Sequence, residues 1–387
     1  MQCEIAVIGN GAVGKAAALG FAQAGYRVIL VSPAVAGKAL SEEWDARVFA
    51  LNHTARHLLG RLKVWDALDV DRIAPIDAMH VMDEAGAELV LDAYSAHHQQ
   101  LAWIVEDQNI NQALDTVLRF TPNIQIVNGK TDTMSADFSV LTLTDGATLQ
   151  ADLWIGADGA QSWLRHLAEI GLDYRSYGQR GVVANFSCSK PHHGVARQWF
   201  AGEQGIVALL PLPGQRVSLV WSAPEQLALQ LLSETTAQLA SRLAHYCSEH
   251  LGELTALPPQ RAQAFPLNFI SPHSMTGPRF ALVGDAAHVV HPLAGHGMNL
   301  GFGDVVALLD AVREREPWRT CGDERVLQRY ARSRKEDVLL MQLATDGLAR
   351  LFGSSLTPVK TLRRAGLNIV NKLPFLKRQL MLQATGR

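Results

Sequence analysis

Three segments, widely separated along the chain, combine residue types suited to holding a phosphorylated cofactor. The first is Gly9-Asn10-Gly11-Ala12-Val13-Gly14, which follows the apolar run Ile5-Ala6-Val7-Ile8 and opens an alanine-rich stretch. Glycines at this spacing permit a tight turn, close approach of backbone to a pyrophosphate and close packing of helix on strand, while the helix amino terminus offers free N–H donors. Gly9, Gly11 and Gly14 are therefore candidate dinucleotide-binding residues. About 20 residues further on, where a carboxylate commonly meets the ribose hydroxyls, stands Ser32, a neutral and weaker partner. The second segment, Ile155-Gly156-Ala157-Asp158-Gly159-Ala160-Gln161-Ser162-Trp163-Leu164-Arg165, again reads as strand, turn and helix start. A second acid-glycine turn so far from the first has no role in a simple nicotinamide dehydrogenase; its plainer reading is a turn that caps a helix with Ser162 or Asp158. The third is Gly284-Asp285-Ala286-Ala287-His288, then His291-Pro292-Leu293-Ala294-Gly295-His296-Gly297-Met298-Asn299-Leu300-Gly301 and Asp304. Asp285 after a buried strand is placed to accept hydrogen bonds from hydroxyls, and the run from Gly295 to Asn299 opens a helix whose N–H groups favour an electron-rich partner.

In this order the segments resemble those of the group A flavoprotein monooxygenases, whose middle motif joins an Asp-Gly pair to a following Ser and Arg. The resemblance implies FAD as the resident cofactor. It puts Asp158 and Gly159 in support of the flavin and the nicotinamide donor, and Asp285 on the ribityl hydroxyls. Pro292, Gly295, His296, Gly297, Met298 and Asn299 would lie along the N1/C2 carbonyl edge of the isoalloxazine. Asp45-Ala46-Arg47 followed by Ala50-Leu51 matches a segment whose Arg lies beside the flavin in these enzymes, and Asp107 falls where relatives often place an Arg, Gln or Asn near the cofactor. With Val64-Trp65-Asp66, Leu210-Pro211-Leu212, Leu219-Val220-Trp221 and the Pro292-to-Gly301 run, the chain is similar over nearly its whole length to the branch that hydroxylates polyprenylated phenols in ubiquinone biosynthesis. Two residues depart from that branch: Ser32, and His296 where Gln is general. His296 would bring a titratable imidazole to the flavin turn.

The implied activity is hydroxylation of an aromatic ring, with NADH or NADPH as electron donor and O2 as co-substrate. Oxygen would pass through a flavin C4a-hydroperoxide, so no side chain is marked as catalytic. The protein's part is to hold a hydrophobic phenolic or quinol substrate beside the flavin and exclude water. Phe200, Leu209, Leu210 and Trp221, on alternating strands, are expected to roof that pocket, although each serves equally well as plain sheet core. Two other function classes fit the same motifs: a flavin-dependent dehydrogenase of a hydrophobic substrate, and a noncatalytic scaffold in which Ser32 and His296 mark lost flavin affinity. A flavin halogenase is disfavoured, because the chain has no Trp-x-Trp-x-Ile-Pro segment.

The elements that must position these residues give an α/β fold class. A Rossmann-like FAD-binding domain (1–75, 101–181 and 276–345) is expected to interleave with a mainly antiparallel β-sheet substrate domain (76–100 and 182–275), ahead of a basic helical C-terminal region (346–387). Within it the pattern predicts a strand over Glu4 to Ile8, a helix from about Leu51 to Leu68 and strands within Met79 to Leu91. A helix over Asn109 to Leu118 and a hairpin at Asp145-Gly146 follow. Short alternating strands are expected at Val183 to Cys188, Val195 to Phe200, Ile206 to Leu212 and Val217 to Trp221, then one helix from Leu227 to Ser248. The α/β pattern returns with a strand over Phe280 to Val283 and a helix through Ala311.

With 387 residues, 48% apolar and 19% charged, the chain has the composition of a folded protein with a large core. A formal charge of −2 predicts no general affinity for nucleic acid. Cys3, Cys188, Cys247 and Cys321 lack the spacing of a disulfide framework or zinc site, and His53 and His57, one helical turn apart, lack a third ligand. No metal is expected. The absence of a leader pattern or of a long apolar run predicts a cytoplasmic protein, peripheral at most on the inner face of the membrane. The tail suggests such a contact: after Asp346 there is no acidic residue, whereas Arg350, Lys360, Arg363, Arg364, Lys372, Lys377, Arg378 and Arg387 are basic. A membrane surface or a quinone-biosynthesis complex is the partner expected there.

Overall fold

A computed structural model describes residues 1–33, 40–84, 86–95, 97–291 and 296–353. Pro292, Gly295 and the tail from 354 lie outside the described residues. β1 (Gln2–Ile8), α1 (Ala12–Gln23) and β2 (Val28–Ser32) form the amino-terminal βαβ unit. The alanines of α1 let it lie close on the sheet, with Ala16, Ala17 and Ala18 wholly buried. β3 (Val48–Leu51), α2 (His53–Arg61), β4 (Ile73–Ile76), β5 (Ala78–Asp83), β6 (Glu88–Asp92), β7 (Ala102–Glu106) and α3 (Asp107–Arg119) follow. The helix expected from Leu51 to Leu68 is shorter: Leu51 ends β3, Asn52 caps α2 by accepting from the Ala55 N–H, and Lys63 takes a left-handed conformation that ends the helix.

β8 (Ile124–Asn128), β9 (Thr131–Met134), β10 (Val140–Leu143), β11 (Thr148–Gly156) and α4 (Trp163–Leu167) return the chain to the first sheet. β10 and β11 flank the Asp145-Gly146 turn, where Gly146 takes the positive φ such a turn needs. That sheet has strand order β8-β2-β1-β11, all parallel, continued beyond β11 by a strand from near the carboxyl end.

Next come β12 (Leu172–Cys188), β13 (Val195–Phe200), β14 (Ile206–Leu212), β15 (Arg216–Pro224), α5 (Glu225–Ser233), α6 (Thr236–Leu251), β16 (Leu254–Ala256) and β17 (Gln263–Pro272). They build a second sheet, order β16-β12-β15-β14-β13-β5-β6, antiparallel except where β5 runs parallel to β13. The single helix expected over Leu227 to Ser248 is two, because Thr235 and Gln238 form a capping box that starts α6 afresh. One face of this sheet packs on α5 and α6; the other meets a small third sheet, β3-β7-β4.

Last are β18 (Thr276–Gly277), β19 (Phe280–Leu282), α7 (His296–Arg313) and α8 (Glu324–Gly353). β19 pairs parallel with β11 and completes the first sheet. The main core lies between that sheet and helices α1, α2, α3 and α7, with Phe21, Leu58, Leu114 and Phe302 at its centre.

Candidate functional site

β1, β11 and β19 are neighbours, and each ends in one of the three motif segments. In an open parallel sheet, loops at the carboxyl ends of adjacent strands share one crevice. The segments also touch. A Cβ at Gly9, where φ is +110°, would lie 2.3 Å from the Ala157 carbonyl oxygen, and one at Gly14 would lie 2.1 Å from the Gly9 carbonyl oxygen. Gly9 is thus required by backbone contact between the first and second segments, and Gly14 by the turn of the first segment on itself, with the Ala157 side chain close by at 3.1 Å. Gly11 differs: it is exposed, and a Cβ there would meet nothing within 4 Å. This open side, next to the free N–H groups of α1, is the cradle a pyrophosphate needs. Gly284 and Gly301 close on Val13, which brings the third segment against the first.

Arg165 ties the second segment to the third. Its Nη1 donates to the Ala286 carbonyl at 2.8 Å and its Nη2 to Ala160 at 2.6 Å. The helix-cap reading of the second segment describes real contacts: Ser162 Oγ accepts from the Arg165 N–H and Asp158 Oδ2 from the Leu164 N–H. Asp158 Oδ1, however, is buried without a hydrogen-bond partner, a cost that a ligand donor would relieve. Gly159 beside it has φ of +82° and open space around it.

Asp285 is open to solvent yet closely surrounded by protein, as befits a carboxylate on the wall of a recess. Burial pushes its carboxyl up from the ordinary value, and the charges of His288 and Arg47 oppose that rise. Asp107, first residue of α3, is also raised by burial and also feels Arg47. The Arg47 side chain is exposed, with its guanidinium 5.3 Å from the centre of the Phe49 ring. The charge of Arg47 thus reaches both Asp285 and Asp107, and the Asp107 N–H donates to the Arg47 carbonyl at 3.0 Å.

α7 begins at His296, with Gly297 in its first turn and Met298 against the main core. Asn299 is fixed from both ends of its amide: Oδ1 accepts from the Asn52 N–H at 3.0 Å and Nδ2 donates to the Ala50 carbonyl at 2.7 Å. Behind it Asp304 is fully buried, accepting from His288 Nε2 at 2.6 Å, Arg334 Nε at 2.8 Å and the Gly284 N–H at 2.9 Å. Burial alone would raise its carboxyl; His288 and Arg334 outweigh that and hold it below its ordinary value. His288 is thereby a structural histidine. His291 differs, for Nε2 meets Gln179 Oε1 at 3.0 Å while the buried Nδ1 has no partner, and burial lowers its pKa to about 4.

Ser32 is buried, and its hydroxyl donates to the Pro33 carbonyl at 2.9 Å, so its hydrogen is directed into its own turn. The four residues expected over the flavin divide between two faces, because strand side chains alternate. Leu209 and Trp221 point to α5 and α6, in a core with Leu231, Leu239 and Leu243, and Trp221 Nε1 donates to the Gln204 carbonyl. Leu210 points the other way, onto Ala50, Ile76 and Ile104, while Phe200 packs with Val81, Leu89 and Ile206. The face shared by Leu210 also carries Val183, Gln198, Ala208 and Val220, by register. Sequence reasoning missed these, since alternation shows that a strand has two faces but not which one a helix covers.

A crevice at the ends of three parallel strands, with a second, mainly antiparallel sheet added to the same chain, defines the class of dinucleotide-binding flavoproteins. The family profile described as "FAD binding domain" matches residues 2–341. The chain is 34% identical over 388 residues to the 3-demethoxyubiquinol 3-hydroxylase of Escherichia coli (strain K12), covering 99% of this chain and 98% of that one. It is 32% identical to the ubiquinone hydroxylase UbiL of Rhodospirillum rubrum, covering 99% and 89%. Among solved structures, Pseudomonas aeruginosa PqsL in complex with 2-aminobenzoylacetate has a TM-score of 0.78 at 19% identity, covering 95% of this chain and 100% of its own. The p-nitrophenol 4-monooxygenase PnpA of Pseudomonas putida has 0.77 at 20%, covering 100% and 99%. These two share the fold. The chain belongs to the FAD-binding family of aromatic monooxygenases that includes the ubiquinone hydroxylases, and is an FAD-dependent monooxygenase using NAD(P)H and O2.

Proposed function

We propose that this enzyme hydroxylates the ring of a polyprenylated phenol on the route to ubiquinone. The observation that carries the proposal is near-complete, end-to-end similarity to two ubiquinone hydroxylases. In this reading Gly9, Gly11, Gly14 and the start of α1 hold the pyrophosphate, and Asp285 accepts from the ribityl hydroxyls. Asp158, Gly159, Asp107 and Arg47 line the cofactor on its other sides. Pro292, Gly295 and the first residues of α7, His296 to Asn299, flank the ring system. When bound, reduced FAD supplies the activation of O2 for insertion of one oxygen atom into the aromatic ring. The chain's own task is to seat the ring and keep water out. The face bearing Val183, Ala208, Leu210 and Val220 is the apolar roof suited to that, with Gln198 as a polar group among them.

Among the described residues no helix is long and apolar enough to cross a membrane. A prenylated substrate must nevertheless be collected from lipid. The basic tail is assigned that task, by docking on an anionic membrane surface or a quinone-biosynthesis complex on the inner face. Quinone profiling of a deletion strain tests the substrate: a precursor lacking one ring hydroxyl should accumulate, and an unaltered quinone profile would refute the proposal. Incorporation of labelled O2 into product separates hydroxylation from the dehydrogenase alternative.

A further inference from the structure

Between β2 and β3 the chain crosses from the first sheet to the third, and its last part, Ser41 to Arg47, has neither helix nor strand. Its backbone groups must therefore find partners elsewhere. They do, and from three directions. Arg72, just before β4, donates from Nη1 to the Ser41 carbonyl and from Nη2 to the Glu43 carbonyl. Glu106, at the end of β7, accepts the Asp45 N–H on Oε1 at 2.5 Å. Asn185, on β12 of the substrate sheet, donates from Nδ2 to the Asp45 carbonyl at 2.9 Å and to the Trp44 carbonyl at 3.3 Å. The Asp45 carboxylate accepts the Arg47 and Gln108 N–H groups, and the Arg47 carbonyl accepts from the Asp107 N–H. Two guanidiniums approach the Trp44 ring, Arg72 at 4.7 Å and Arg216 of β15 at 5.2 Å from its centre.

At the centre is a bidentate ion pair. Arg72 Nε and Nη2 lie 2.7 and 2.8 Å from the two oxygens of Glu106, whose side chain is 0% exposed. A buried pair of this kind is seldom more stabilising than apolar residues of the same volume, while breaking it leaves an uncompensated charge. Its worth here is geometric, because every group it touches belongs to the arm that ends in Arg47.

We propose that Arg72 and Glu106, with Asn185 reaching across from the substrate sheet, are positioning residues for Arg47, clamping the arm so that its guanidinium stays in the recess of Asp107 and Asp285. The inference rests on the reading of that recess as the FAD site. It makes the cofactor contact depend on the substrate sheet, since Asn185 and Arg216 hold the arm from that side. Without the clamp, Arg47 is still present but spread over many conformations, and its contact with the flavin loses most of its strength.

The test is a double-mutant cycle on FAD affinity, read by quenching of flavin fluorescence as the apoprotein is titrated. Arg47→Ala is expected to weaken FAD about tenfold, the loss of one charge-assisted contact, and Glu106→Gln and Asn185→Ala each about three- to tenfold. In the Arg47→Ala background the same two changes should cost less than about twofold, because the contact they position is gone. Factors that multiply would overturn the proposal, as would single variants that bind FAD like the parent. Asn185→Ala leaves no buried charge, so it carries the test if Glu106→Gln does not fold. Thermal melting of the apoprotein should fall equally in both backgrounds, separating stability from positioning. If Arg47→Ala is without effect while Asp285→Ala loses flavin, the clamp is refuted and the FAD recess stands; if neither matters, the recess reading itself fails.

Discussion

Asp285 meets opposed demands from folding and binding. In the apoprotein, burial raises its pKa, so the folded chain holds its ionised form less readily than the unfolded chain does. The sign follows: above the raised value the charge penalises folding, and stability recovers as pH falls through it. Asp285→Asn removes that penalty. The variant apoprotein should melt higher than the parent at neutral pH while binding FAD about ten- to a hundredfold more weakly, the range for a charged hydrogen bond. A lower melting point with unchanged affinity would assign Asp285 to structure alone. His291 gives the complementary case. The unfolded chain takes up its proton near 6.5 and the folded one only near 4, so the stability present above 6.5 is lost as pH falls from 6.5 to about 4. His291→Gln should remove that acid loss, on the order of 3 kcal/mol across the window, measured by denaturant unfolding at pH 7, 5 and 4. Single residues of this kind were legible as motif members in the sequence, but their environments were not. Ser32 stands where the sequence pattern leads one to expect a ribose-binding carboxylate, and only the fold shows its hydroxyl turned to Pro33.

At the scale of elements, the third motif works because α7 is anchored at both ends of its first turns. Asn299 fixes it to the Ala50 carbonyl and the Asn52 N–H, and Asp304 fixes it to the turn after β19 and to α8 through Arg334. Asp304→Asn should destabilise the protein by about 3–5 kcal/mol, because it leaves the buried guanidinium short of its counter-charge. Equilibrium unfolding would show it, and a loss under 1 kcal/mol would mean that Asp337 alone satisfies Arg334. Local pattern located β13 and β14 to the residue, since alternation and flanking Gly and Pro are local signals. It fused α5 with α6, although Thr235 and Gln238 spell a capping box, because apolar spacing runs unbroken through them. It had no means of assigning Leu209 and Trp221 to the covered face, a choice made by where α5 and α6 pack. Asp45-Ala46-Arg47 was legible as a motif, yet the stretch from Ser41 that leads into it and the residues that hold it, 25 or more positions away in the chain, were not.

At the scale of the whole molecule, the proposed function gives the second sheet an apolar face towards the substrate, and such a face calls for a substrate that water does not deliver. Seven of the eight basic residues after Asp346, all but Arg350, lie beyond the described residues, so their role rests on composition. Leu362, Leu367, Ile369, Val370, Leu373, Phe375, Leu376, Leu380 and Met381 interleave there with the basic residues, a pattern suited to lying in a membrane interface. Each basic residue near an anionic surface contributes about 1 kcal/mol, so neutralising three should cost roughly a hundredfold in lipid partition, and reversing them more. Replacing Lys372, Lys377 and Arg378 by Glu should therefore abolish sedimentation with anionic liposomes at low salt. FAD content and turnover of a short-chain, water-soluble phenol should stay as in the parent, because the recess and the roof are built from other residues. High salt should release the parent protein from the same liposomes, since salt screens attraction between basic side chains and an anionic surface. Sedimentation that survives both the substitutions and high salt would show that the tail does not dock through its charge, and that the substrate reaches the roof by another surface.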